Sequence, residues 1–388
     1  MGINIEKKED GSVVVEGGVD KLKEPADGKE LFIGNSGTTV RFLTTFTTLV
    51  PGTVTLNGDE HMAKRPIADL VSALKQMNIS IDCPTDCPPI KIAGGNDGLP
   101  GGNVEMNGTK SSQYFSSLML SGAYAKTDLK INIKGTLVSL PYVTMTKKCV
   151  EDFGGKIDLD MESNCITVHP TAYALPNNGS YAIEPDASAA SYPFAAAAAT
   201  GLKIRVPILN ESSIQGDYGF VDILEKMGCK VEKDQDGTTV TGPEQGVKLK
   251  GVDVDMHHIS DTVMTLAAIA PLCDGPTTIR NVANIRIKET DRLIATVNEL
   301  KRLGQEVEYG DDWLKIVPKP VQPAKIECYA DHRMAMAFGI LGLAVPGVTI
   351  TDKKCTGKTY PGFWDDMNSF CEEVKAASVQ VKKPKLTV

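Results

Sequence analysis

The strongest constraint on how this chain can fold is that it repeats itself. Five times, a short strand-like stretch leads through a polar turn into a helix rich in small apolar residues, and then into a Thr/Val/Ile strand. These copies span 30–56, 102–133, 181–206, 252–282 and 325–351. Four times, at 68–92, 143–168, 221–242 and 293–317, an amphipathic helix ends near a Gly or Asn and a two-strand hairpin follows. Such a period marks stacked supersecondary units, each needing its neighbours to cover its apolar face. Helices so rich in Ala, Ser and Gly pack closely and are expected to be buried on most sides.

The two half-units alternate, which gives a βαβαββ unit. Residues 1–17, M-G-I-N-I-E-K-K-E-D-G-S-V-V-V-E-G, match M-G-C-K-V-E-K-D-Q-D-G-T-T-V-T-G at 227–242 almost position for position. They read as the tail of a unit whose earlier part is missing, and 358–373 reads as a second-type helix with no hairpin behind it. The expectation is therefore an α/β protein of two domains, 1–178 and 179–388, with a boundary near residues 177–180. Each domain would hold three units, the first largely missing. A length of 388 residues is in any case long for a single core.

Composition narrows the function. The formal net charge of −8 argues against a nucleic-acid partner, which needs a basic face to neutralise phosphates. No apolar run approaches the roughly 20 residues that span a bilayer, and no secretory leader opens the sequence. Nine cysteines are scattered, and only Cys83 and Cys87 lie close together with no second pair or His cluster nearby, so no metal site is expected. Idle thiols suit a reducing compartment, and a cytoplasmic location is expected, or a plastid if a targeting segment precedes the sequence.

Five of the nine residues from Asn284 to Arg292, N-I-R-I-K-E-T-D-R, are charged. A helix beginning near Lys288 would put Lys288, Glu289 and Arg292 on one face, with Glu289 held between two cations. A carboxyl so placed suits proton transfer on a bound anion. The first-type helices each open with a residue able to cap: Ser36 or Thr38, Ser111 or Ser112, Asp186 or Ser188, Ser260 or Asp261, and Asp331. Asn35, Arg41, Gln113, His332 and Arg333 gather at the same ends, beyond what capping needs. Helix N-termini with added cations point to a shared anion site.

The motifs G-N-S-G-T-T-V-R (34–41), K-R-P-I (64–67), S-S-Q-Y (111–114), P-D-A-S-A-A-S-Y (185–192), Q-G-D (215–217), N-I-R-I-K-E-T-D-R (284–292), D-H-R-M-A-M (331–336) and G-K-T-Y-P (357–361) run in one order over nearly the whole chain. Together they resemble the 5-enolpyruvylshikimate-3-phosphate synthase family of the shikimate pathway. The resemblance implies a two-domain enolpyruvyl-transferase fold, an inverse α/β barrel of repeated βαβαββ units closing on substrate. It implies transfer of the enolpyruvyl group of phosphoenolpyruvate to the 5-hydroxyl of shikimate 3-phosphate, without metal or organic cofactor, by a monomer.

By motif position, the resemblance gives Ser111, Ser112, Gln113, Ser139, Tyr142, Asp261, Asn284 and Lys288 to shikimate 3-phosphate. It gives Asn35, Gly37, Arg41, Arg65, Gln113, Arg292, Arg333 and Lys358 to phosphoenolpyruvate. Asp261 is expected to accept the hydroxyl proton and Glu289 to protonate the methylene carbon, with His332 a further candidate in proton handling. These residue types fit the chemistry, since guanidinium forks suit a ligand carrying phosphate and carboxylate, and its enol double bond needs an acid beside a base.

The sequence also departs from the family. The family's early Lys-Ser turn and following Arg have no counterpart here, and a catalytically impaired fragment is the competing expectation. Phe42 stands where many members have Pro, and Ser36 where many have Ala. A sister family acting on a UDP-sugar uses a Cys before the R-P motif, and none lies between residues 46 and 82.

Overall fold

The repeat is written directly into the backbone hydrogen bonding. The computed structural model describes residues 1–381 apart from 96, 97, 177, 178 and 245. Its first element is a hairpin of β1 (Asn4–Lys7) and β2 (Val13–Glu16), with Asn4 opposite Glu16 and Lys7 opposite Val13. A full copy follows: β3 (Leu31–Phe32), α1 (Gly37–Phe46), β4 (Gly52–Asn57), α2 (Ala68–Gln76), β5 (Ser80–Asp82) and β6 (Ile90–Gly94). The next is β7 (Gly102–Asn107), α3 (Ser112–Gly122), β8 (Leu129–Lys134), α4 (Leu140–Asp152), β9 (Lys156–Asp160) and β10 (Cys165–His169).

The third copy begins with α5 (Ala187–Thr200) and continues through β11 (Lys203–Pro207), α6 (Phe220–Lys226), β12 (Lys230–Asp234) and β13 (Gly237–Thr241). The fourth comprises β14 (Asp253–Asp255), α7 (Val263–Ile269), β15 (Thr277–Arg280), α8 (Arg292–Arg302), β16 (Glu306–Tyr309) and β17 (Leu314–Val317). The last has β18 (Lys325–Ile326), α9 (His332–Ala344), β19 (Thr349–Ile350) and α10 (Phe363–Val381).

Three sheets share one strand order: β3-β4-β6-β5, β7-β8-β10-β9 and β14-β15-β17-β16. In each, the first helix carries the chain between two parallel strands, and the hairpin then adds its second strand antiparallel to the inner one. The third copy departs from expectation. Its sheet has only β11-β13-β12, and residues 181–186 form no strand. That stretch ends at Pro185, which has no N–H to offer a ladder, and Asp186 already turns into the cap of α5.

The chain divides into two compact units, Met1–Ala182 and Ile183–Val388; the expected boundary residues 177 and 178 lie outside the described residues. Unit 1 packs α1 against α3, over strands whose inward residues alternate with outward ones: Val54 and Leu56 of β4, Ile90 and Ile92 of β6, Leu129 and Ile131 of β8, all fully buried. In unit 2, α5, α7 and α9 pack on one another. Ala195, Ala196 and Ala197 are each at 0% exposure. Consecutive buried positions mean a helix covered all round, which only small side chains permit at close approach.

The second helix of the first four helix-bearing copies stops by one device. Asn78, Gly154, Gly228 and Gly304 all take positive φ, and each donates its N–H to the carbonyl three residues before it. The next residue (Ile79, Gly155, Cys229, Gln305) donates to the carbonyl five before it, which completes the Schellman closure. Gly2, at the matching place before β1, has φ +80° as well. The Gly or Asn read as a helix stop in the sequence is thus a left-handed residue that aims the chain into its hairpin.

Candidate active site

In unit 2, the N-terminal ends of α7, α8 and α9 come together around one side chain. Arg292, the first residue of α8, is 1% exposed and touches three carboxylates. Its Nε donates to Asp331 Oδ2 at 2.7 Å and its Nη2 to Asp331 Oδ1 at 3.2 Å. Nη1 donates to Asp261 Oδ1 at 3.1 Å, and Nη2 reaches Glu289 Oε2 at 2.7 Å. Asp331 is fully buried and also caps α9, accepting from the Arg333 N–H at 2.9 Å.

Three more cations close the cluster. Arg333 Nη2 donates to Asp261 Oδ2 at 3.1 Å, Lys288 Nζ lies 3.7 Å from Asp261 Oδ1, and Lys358 Nζ donates to Glu289 Oε1 at 2.8 Å. Four cations against three carboxylates leave the cluster with one net positive charge at the positive ends of buried helices, a setting made for anions. Asn284 reaches in beside it, donating from Nδ2 to Ser260 Oγ at 2.9 Å.

Two proton affinities follow. Burial alone would raise that of Asp261, but Arg333, Lys288 and Arg292 outweigh it and hold the carboxyl well below the usual range. His332, 4% exposed, is pushed down to about 4, chiefly by burial and then by the Arg333 charge, so it is neutral at pH 7.

The structure corrects the local reading of residues 288–292. The helix does not begin near Lys288: a 3-10 turn covers Ala283–Ile287, Lys288 has ψ −142°, and Asp291 caps α8 by accepting from the Ile294 N–H at 3.1 Å. Arg286 holds that turn, donating to Asp291 Oδ2 at 2.7 Å and to the Asp311 carbonyl at 2.8 Å. Glu289 does lie between two cations, but the second is Lys358, while Lys288 turns to Asp261. Ser260 and Asp261 do not cap α7, whose N-cap is Thr262 without a side-chain bond. Their side chains are engaged by Asn284 and by the cations instead.

In unit 1, the ends of α1 and α3 meet in the same manner. Arg41, 4% exposed, donates from Nη1 to Gln113 Oε1 at 2.6 Å, and Gln113 Nε2 donates to Thr38 Oγ1 at 2.8 Å. The Arg41 guanidinium also stands 5.4 Å from the Tyr114 ring centre. Arg65 Nη1 donates to Asn35 Oδ1 at 3.3 Å, and its guanidinium lies flat against Gly37, where an added Cβ would come within 2.6 Å of Nη2. Gly37 is required by that contact. Ser36 and Ser111 are the caps, accepting from the N–H groups of Thr39 and Gln113.

Ser112 is buried at the first position of α3. Ser139, buried at the start of α4, is held at φ 53°, ψ 45°, a left-handed conformation that costs a non-glycine residue about 1–2 kcal/mol. Strain of this kind collects at functional positions. Tyr142 sits one turn on, its N–H bonded to the Ser139 carbonyl.

The expected residues thus form two sets. Asn35, Gly37, Arg41, Arg65 and Gln113 gather in unit 1, with Ser111 and Ser112 at the same helix end and Ser139 and Tyr142 at the start of α4. Asp261, Asn284, Lys288, Glu289, Arg292, His332, Arg333 and Lys358 stand together in unit 2. Sequence reading took Asp331 for a cap alone and missed it as the bidentate partner of Arg292, although an Asp directly before His-Arg at a buried helix start was a usable signal. Among the described residues, no group of three or more His, Cys, Asp or Glu is placed to hold a metal ion.

Repeated βαβαββ units whose buried helices present Arg, Lys and carboxylates at their N-termini define an enolpyruvyl-transferase fold. The sequence matches the EPSP synthase (3-phosphoshikimate 1-carboxyvinyltransferase) family over residues 1–367, and the chain belongs to that family. A 3-phosphoshikimate 1-carboxyvinyltransferase of Nostoc punctiforme is 44% identical over 340 residues, covering 88% of this chain and 78% of the relative. The chloroplastic one of Arabidopsis thaliana is 43% identical over 378 residues, covering 94% and 72%. In fold, the chain resembles the EPSP synthase structure of Acinetobacter baumannii, with TM-score 0.76, 24% identity, and 95% of this chain and 84% of that one covered.

Proposed function

We infer that the two sets of residues divide the work of the family's reaction. That reaction is transfer of the enolpyruvyl group of phosphoenolpyruvate to the 5-hydroxyl of shikimate 3-phosphate, with release of phosphate. The chain is a transferase of the shikimate pathway acting on these two small molecules. The observation carrying the assignment of roles is the ion-pair cluster of Asp261, Glu289, Arg292, Arg333 and Lys358. It places two carboxyls with different partners beside cations that an incoming anion can claim.

Phosphoenolpyruvate is taken by Asn35, Gly37, Arg41, Arg65, Gln113, Arg292, Arg333 and Lys358. Shikimate 3-phosphate is taken by Ser111, Ser112, Gln113, Ser139, Tyr142, Asn284 and Lys288, with Asp261 against its hydroxyl. When phosphoenolpyruvate draws Arg292 and Lys358 away, Glu289 takes up a proton from solvent. It gives that proton to the methylene carbon, making it a methyl group, while the 5-hydroxyl oxygen bonds to the adjacent carbon and Asp261 accepts the hydroxyl proton. In the second half the phosphate leaves with the proton that Asp261 took, and a methyl proton returns to Glu289 to restore the double bond. Asp261 is a poor base while Arg333, Lys288 and Arg292 hold it. Substrate phosphate and carboxylate drawing on those cations restore its proton affinity, so base strength arrives with substrate. Neutral His332 accepts or passes a proton rather than supplying a fixed charge.

The test is phosphorus NMR of the protein with both substrates. Inorganic phosphate and a new enol-ether product should appear together, and only when both substrates are present. A phosphate signal that needs phosphoenolpyruvate alone contradicts the reading. We take the protein to act as a monomer in the cytoplasm or a plastid, which light scattering and cell fractionation check. No helix among the described residues is long and apolar enough to cross a membrane.

A further inference from the structure

Helix α8 touches the β18–α9 segment through one stripe of side chains. Arg292, Thr296 and Glu299 follow at spacings of four and three, which puts them on one face. Each makes a polar contact with residues 327–334. Arg292 grips Asp331, Thr296 Oγ1 donates to Met334 Sδ at 3.6 Å, and Glu299 holds the turn in front of α9. All three are at 1% exposure or less.

Glu299 is the unusual member, a carboxylate at 0% exposure that no step of the reaction uses. Its Oε2 accepts the Glu327 N–H at 3.0 Å and its Oε1 accepts the Tyr329 hydroxyl at 2.8 Å, with Arg302 Nε at 3.0 Å from Oε2 on the outer side. The turn it holds is strained. Tyr329 and Ala330 have φ of +55° and +52°, two successive non-glycine residues in the left-handed region. They immediately precede Asp331, His332 and Arg333. A buried charge is costly unless fully bonded, and here its bonds all go to the two ends of one strained turn and to the arginine beside it.

We propose that Glu299 is a positioning residue: it fixes the 327–330 turn in its left-handed form, and so sets Asp331 against Arg292 and aims Arg333. The inference rests on the functional reading above, in which Arg292 and Arg333 bind phosphoenolpyruvate. Of the shikimate 3-phosphate residues, Asp261 is bonded to Arg292 and Arg333, and the others lie on other segments, so loosening this turn should act mainly on phosphoenolpyruvate.

The experiment is steady-state kinetics of Glu299→Gln in the full chain, with each substrate varied. Glutamine keeps the volume but cannot accept at both atoms. KM for phosphoenolpyruvate should rise about tenfold, with KM for shikimate 3-phosphate within twofold of the parent. Tyr329→Phe, which removes one of the bonds and leaves the Glu327 contact, should raise the same KM about threefold, and it carries the test if Glu299→Gln does not fold. Unchanged KM for phosphoenolpyruvate in the folded variants, or a fall in kcat alone that tracks lost folded protein, overturns the proposal. Arg292→Lys separates the two levels. If it leaves KM for phosphoenolpyruvate unchanged, the functional reading fails; if it raises that KM while Glu299→Gln and Tyr329→Phe do not, only the positioning role fails.

Discussion

Lys358 Nζ donates to Glu289 Oε1 at 2.8 Å across 69 positions of sequence, while Arg292 Nη2 holds the other oxygen at 2.7 Å. The carboxyl assigned to proton donation is therefore oriented by two cations from different segments. Lys358→Met removes one of two charge-assisted bonds, each worth about 1.5–3 kcal/mol, so kcat/KM for phosphoenolpyruvate should fall about 10- to 100-fold. An unchanged value would mean that the pair is ornamental.

Asp261→Asn keeps shape and most hydrogen bonding but cannot take a proton. With a positioned base contributing about 10²–10⁴-fold, kcat should fall by that range. The change also relieves Arg333, Lys288 and Arg292 of a competing carboxylate, so dissociation constants for both anions should be equal to the parent's or tighter by calorimetry. Loss of binding in step with loss of rate would make Asp261 a structural residue.

Gly37→Ala puts a methyl group 2.6 Å from Arg65 Nη2. The backbone there is ordinary helix, so the fold tolerates the methyl and the guanidinium must move. KM for phosphoenolpyruvate should rise about tenfold or more with a melting temperature within a few degrees of the parent. A large drop in melting temperature with unchanged KM contradicts the contact.

Two histidines should tilt stability in opposite directions. His332 is held down to about 4 by burial and by Arg333. Between its ordinary 6.5 and 4 the unfolded chain binds the proton that the folded one refuses, so folding free energy is lost as pH falls through this window, up to about 3 kcal/mol. His169 behaves in reverse. Its ring nitrogens lie 2.7 Å from Asp158 Oδ2 and 3.1 Å from Asp128 Oδ1, and the Asp158 bond raises its proton affinity. That contribution is whole below about 6.5 and fades as pH rises through the raised value. Urea melts of His332→Gln should show a shallower loss between pH 7 and 5, and those of His169→Gln a deficit at pH 6 that shrinks as pH rises. Parallel pH profiles in both variants would contradict these placements.

How far the sequence could be read differs by level. The half-units were legible because each is local: Ala-rich runs, Gly or Asn stops and hairpin signals such as Asp236-Gly237 lie within one element or between neighbours. The strand order follows from the same alternation. The expected strand before α5 failed because apolar spacing outweighed Pro185. Within the site, residue identities were legible from motif order, but partner choice was not. Glu289 and Lys358, or Arg292 and Asp331, meet only after α7, α8 and α9 pack, and no spacing within 284–292 records that. Capping logic likewise misassigned Ser260 and Asp261, since a helix end can go without a side-chain cap when Asn284 and the cations have a stronger claim on those side chains.

The central claim is that Glu289 delivers a proton to the methylene carbon of phosphoenolpyruvate. Turnover in heavy water reports on this directly, because a methyl intermediate that took one deuteron and then lost a proton leaves deuterium in the product's methylene group. The parent protein should give a product carrying deuterium there, by mass spectrometry, and Glu289→Gln should give none while still binding phosphoenolpyruvate. Deuterium entering at the parent's rate in Glu289→Gln would contradict the account.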